Sequence, residues 1–147
     1  MRLRFRILSR NTILVAALLP LLAAALRAQD GKSVWDGVYT EDQAKRGEEL
    51  YFDRCVRCHG PTYMGGTDGA GPLVGPTFNG NWNNVPLDQM LDRVRLTMPM
   101  DKPASMSRQQ TADALAFILS INKIPAGKTE LPRQAEILNL IRYKAAK

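Results

Sequence analysis

Cys55-Val56-Arg57-Cys58-His59 places two thiols and an imidazole within five residues. The spacing C-x-x-C-H is that of a c-type haem attachment site. Each thiol can bond one side group of a porphyrin, and the histidine after them can donate a ring nitrogen to the iron. The two cysteines and the one histidine of the chain all lie here. A thioredoxin-like redox pair would want a βαβ pattern around the C-x-x-C, and none is visible. Structural zinc takes four Cys or His ligands, and the chain holds three such residues.

An electron carrier usually fills the second axial position of its iron. With no other histidine, a methionine thioether is the natural choice, and it raises the potential by favouring Fe(II). Met64, Met90, Met98, Met100 and Met106 are the candidates. Met90 lies on the apolar face of a helix and reads as core. Met64 follows His59 too soon to reach the other face of a haem, and Met106 sits beside a helix cap as a hydrophobic staple. Met98 and Met100 fall in an irregular segment. Pro99 stiffens Met98 in an extended backbone, whereas Met100 neighbours Asp101 and Lys102 and is expected to face water. Met98 is the expected ligand and Met100 the alternative.

These residues need helices to hold them. Thr40-Glu41-Asp42-Gln43 fits a capping box, and Ala44, Gly47, Leu50 and Tyr51 recur at helical spacing toward the cysteines. Glycines and prolines crowd residues 60–81, which read as a loop. Its apolar Leu73 and Phe78 suit a loop wrapped over a porphyrin rather than a free linker. A second helix is expected over 87–97, after Pro86 and before Pro99. A third opens at Ser107, another capping-box match, with Ala112, Leu115, Ala116 and Leu119 on one face, and ends near Asn122. The tail carries a short amphipathic stretch with Ile137, Leu138 and Ile141. The mature chain reads as all-α.

The N-terminus sets the compartment. Four arginines precede an apolar run from Thr12 to Leu26, followed by Leu26-Arg27-Ala28. This is the pattern of a secretory signal peptide cleaved near Ala28. The run is short for a membrane span and contains Pro20, so membrane contact is expected only if this segment is kept. Export to the periplasm agrees with covalent haem attachment, which in bacteria takes place outside the cytoplasmic membrane. The organisation expected is a leader over 1–28, a lead-in over 29–39, a domain over 40–131 and a tail over 132–147. Residues 1–28 hold five arginines and no acid. Beyond them fifteen basic and fourteen acidic side chains remain, so the formal charge of +6 gives no support to a nucleic-acid partner.

With these motifs in order, residues 35–132 resemble a class I monohaem cytochrome c. Gly47 and Tyr51 match the N-terminal helix of that family, which crosses the C-terminal helix through a glycine, and Phe117 matches the aromatic on the latter. The resemblance implies three to five helices around one covalently attached haem c. It implies that the Pro72 carbonyl, in Gly71-Pro72-Leu73, accepts a hydrogen bond from His59. Trp82 resembles an aromatic near a haem propionate, though a core tryptophan is an equal reading. Thr97-Met98-Pro99 resembles the methionine-proline ligand motif. The stretch from Met98 to Leu131 is similar to cytochrome domains that accompany pyrroloquinoline-quinone dehydrogenases.

The function expected is one-electron transfer, with a dehydrogenase or respiratory donor and an oxidase or another cytochrome as acceptor. A fixed subunit of a dehydrogenase complex is the alternative to a free monomer. A gas-binding or peroxidatic protein would need an open iron position, and the Met98 motif argues against one.

Overall fold

The computed structural model describes residues 31–66 and 69–146; the expected leader over 1–28 lies outside them. Their order is β1 (Lys32–Ser33), a 3₁₀ turn (Val34–Asp36), α1 (Glu41–Arg54), α2 (Val56–His59), α3 (Gly75–Trp82), α4 (Leu87–Thr97), α5 (Arg108–Ile121), α6 (Ala135–Leu138) and β2 (Ile141–Arg142). The fold is the all-α class expected. Among the described residues it has six helices rather than three to five, and a two-residue parallel ladder that pairs Lys32 with Ile141 and Ser33 with Arg142.

Thr40 opens α1, its hydroxyl accepting from the Gln43 N–H at 3.2 Å. The reciprocal half of the capping box is absent, because Gln43 turns inward. Its side-chain amide donates to the Leu131 carbonyl at 3.1 Å and accepts from the Leu131 N–H at 2.6 Å, and Gln43 is fully buried. Ser107, in contrast, forms both halves of its box with Gln110.

Helices α1 and α5 cross at Gly47. A Cβ there would lie 1.9 Å from the Asp113 carbonyl oxygen and 2.8 Å from the Phe117 Cβ, so only glycine permits the approach. Arg46, one residue earlier, holds both Asp113 carboxylate oxygens at 3.1 Å and Glu130 at 2.7 Å. The core beside this crossing is built by Leu87 and Leu91 of α4 and Leu115 and Leu119 of α5, all buried.

The loop expected over 60–81 is interrupted by α3, which runs on to Trp82. Pro76 stands in its first turn, where the missing N–H is harmless. Phe78 is buried, with its ring edge-on to Tyr143 at 5.6 Å, and the Tyr143 hydroxyl donates to the Asn79 side chain. Packing from the far end of the chain thus offsets the poor helix propensity of Gly75 and Gly80.

That far end is structural. Leu138, Ile141 and Tyr143 are buried, the Asn84 N–H donates to the Tyr143 carbonyl at 2.8 Å, and the Trp35 indole donates to the Lys144 carbonyl at 2.9 Å. From Lys32 onward, the lead-in and the described tail therefore belong to one compact unit.

Candidate haem site

The C-x-x-C-H residues form a turn of their own. Cys55 ends α1, its N–H bonded to the Tyr51 carbonyl at 2.8 Å. Its own carbonyl then accepts from Cys58 at 3.1 Å and from His59 at 3.0 Å. The two thiols thus fall at i and i+3 on one side of the turn, with the imidazole directly after them. Gly60 ends α2 at φ +72°, and its carbonyl accepts from the buried Tyr51 hydroxyl. The Tyr51 ring also meets those of Tyr63 and Phe117, with centroids 5.2 and 5.4 Å away. The turn is thereby tied back to α1 and α5.

His59 Nδ1 lies 2.9 Å from the Gly71 carbonyl oxygen. A carbonyl only accepts, so Nδ1 carries the proton and Nε2 keeps its lone pair free for a metal. The partner expected was the Pro72 carbonyl; the structure places the Gly71 carbonyl there. The next residue explains the register. The Leu73 N–H donates to the Tyr63 carbonyl and its carbonyl accepts from the Asn122 side chain, both at 2.8 Å, which leaves the Gly71 carbonyl to meet the ring.

A cavity of about 510 Å³ opens between these elements. Cys55, Cys58 and His59 line it, as do Pro72, Leu73, Phe78 and Trp82, together with Met98 and Met100. The attachment residues, the expected packing residues and both favoured methionines thus reach one space, whereas Met64 and Met106 do not line it. Met98 caps α4 with φ −122° and ψ 148°, the extended backbone expected before Pro99, and is half-buried. Met100 is 73% exposed. Trp82 is half-buried against the core, its ring centroid 6.4 Å from that of Phe78.

The sequence reading missed several walls. Met90 is buried, as a core residue should be, but it also faces the cavity, as does Val94. Met90 and Val94 of α4 and Met98 at its C-cap follow one another at four-residue spacing, and that spacing was the available signal. Leu115 and Ile118 of α5 close the far side.

The site suits a large, mostly apolar group that carries acid groups. Among the described residues no cluster of three or more His, Cys, Asp or Glu could hold a bare ion. The charged residues on the described wall include Arg54 and Arg93 and no carboxylate, which fits a pair of propionates. Burial pushes the Cys55 thiol up to about 11, the reverse of the lowered value a thiolate redox pair uses.

The family "Cytochrome C oxidase, cbb3-type, subunit III" matches residues 42–118, slightly over half of the chain. The chain belongs to this family of c-type cytochrome domains. No curated protein and no solved structure matches it. The cytochrome carries covalently bound haem c with its iron, and Cys55 and Cys58 are consistent with the CxxCH attachment motif. It is a haem-based electron carrier, which fits electron transfer rather than catalysis, and redox proteins are its general class of partner. The matched stretch begins at the first turn of α1 and ends inside α5. It therefore takes in the attachment turn, α3, α4 and the Met98 segment.

Proposed function

We propose that this cytochrome is a periplasmic one-electron carrier. It takes electrons from a dehydrogenase or respiratory donor and passes them to an oxidase or another cytochrome. The observation that carries this reading is the convergence of His59, with Nε2 free, and Met98 on one cavity. When bound, the haem iron supplies the one-electron couple. Cys55 and Cys58 hold the group in place. His59, oriented by the Gly71 carbonyl, and Met98 would hold the iron, and apolar walls such as Phe78 and Leu115 would exclude water. A site held by two protein ligands has little to rearrange and no position for a gas or peroxide. Export is supported by the basic and apolar pattern of residues 1–28. Among the described residues no helix is long and apolar enough to cross a membrane.

The alternative, a fixed subunit of a dehydrogenase complex, gains little from the tail. Of the tail's Ile137, Leu138 and Ile141, the last two are buried in their own domain and only Ile137 is left exposed, at 47%.

The test is an absorption spectrum of the haem-loaded protein, oxidised and reduced, with and without carbon monoxide. A low-spin reduced spectrum that the gas leaves unchanged supports the carrier reading. A high-spin spectrum that shifts on adding the gas overturns it.

A further inference from the structure

The Arg57 guanidinium and the Asp101 carboxylate meet at 2.9 Å, Nη2 to Oδ2, although 44 residues separate them. Arg57 stands between the two cysteines of the attachment turn. Asp101 stands three residues after Met98, in the irregular segment that joins α4 to α5. The pair therefore bridges the two walls of the cavity that bear the axial residues.

Little else holds that segment. The Lys102 N–H donates to the Pro99 carbonyl at 3.0 Å, which closes a turn within the segment itself. Among the described residues, Arg57 to Asp101 is the one hydrogen bond that joins residues 99–105 to another element. Met100, inside the same stretch, is mostly exposed. The attachment turn, in contrast, is fixed by its backbone bonds and by Tyr51.

We infer that Arg57 and Asp101 are positioning residues that clasp the Met98 segment to the attachment turn and so hold Met98 on the iron. The inference rests on Met98 being the axial ligand, as proposed above. An outside ligand can bind only when Met98 has moved away, so its apparent affinity scales with the open fraction of the segment. The pair stabilises the closed state, and breaking it raises that fraction. Both side chains are well exposed, at 71% and 59%, so the effect is modest and sensitive to salt.

The probe is imidazole, titrated spectroscopically into the oxidised haem-loaded protein at a pH where imidazole is neutral. Charge changes at residues 57 and 101 then do not attract or repel the probe itself. In low salt, Arg57→Gln and Asp101→Asn each raise imidazole affinity by about two- to five-fold, the range an exposed ion pair supports. The exchange variant R57D/D101R returns it toward the native value. Salt near 1 M brings the native protein toward the single variants, because screening then acts within about 3 Å. Thermal unfolding is followed in parallel, since a purely structural pair would move the midpoint and leave imidazole affinity alone. Single variants that bind imidazole as the native protein does overturn the clasp while leaving the carrier reading intact. A native protein that already takes up carbon monoxide overturns both.

Discussion

Gly47 stands so close to Asp113 that the carbonyl oxygen of the latter occupies the place a methyl group would need, 1.9 Å from an added Cβ. The contact is with backbone on both sides, so no side chain can rotate away to relieve it. Gly47→Ala must push α1 from α5, at a cost toward the upper end of the usual overpacking scale, about 3 kcal/mol. A guanidinium titration of the haem-loaded protein checks this. A midpoint equal to that of the native protein would mean that the helices do not cross here.

Met98 and Met100 both reach the cavity, but only Met98 sits half-buried at the end of α4. Met98→Ala is expected to convert the reduced protein to a form that binds carbon monoxide. Met100→Ala is expected to leave the spectrum unchanged. The reverse result would make Met100 the ligand.

Gln43 joins two distant parts of the chain through one buried amide. Gln43→Ala leaves the Leu131 N–H and carbonyl without partners, and destabilisation of about 2–4 kcal/mol is expected. Gln43→Glu keeps the shape but loses the donor toward the Leu131 carbonyl, so it should rescue little at neutral pH. Chemical unfolding of the two variants gives the comparison. Full rescue by glutamate would show that side-chain volume, not the paired hydrogen bonds, matters.

Burial pushes the Tyr143 phenol from an ordinary 10 up to about 12. Folding thus favours the neutral phenol. Its contribution to stability is complete below pH 10 and is lost as pH rises through about 12. Thermal midpoints measured across that window should fall, and Tyr143→Phe should make the fall shallower. Tyr51 is pushed to about 12 by burial as well, so part of the slope should survive in that variant. Equal slopes in both proteins would remove Tyr143 from the account.

Local chemistry made much of this molecule legible. Caps at Thr40 and Ser107 and prolines 86 and 99 marked α1, α4 and α5 closely, because each signal acts through neighbouring backbone groups. The attachment turn was legible for the same reason. What escaped depended on distant partners. Helix α3 carries Gly75, Pro76 and Gly80, and is held by Tyr143, more than sixty residues away. Gln43 fitted a capping box in the sequence, yet it serves Leu131 instead. The carbonyl that orients His59 is set one residue off the expected place by bonds that Leu73 makes with Tyr63 and Asn122. The tail gave no reading of its function, and its work is to cover the domain it belongs to.

The seam between β1 and β2 has a mechanical consequence. The two strands run in the same direction, one near each end of the described chain. Tension between those ends therefore drags the strands past each other lengthwise instead of peeling them apart. Their bonds share the load, and the Trp35 indole adds a further tie to Lys144. Held by its ends, the domain resists as sliding rails do, and not as a zip.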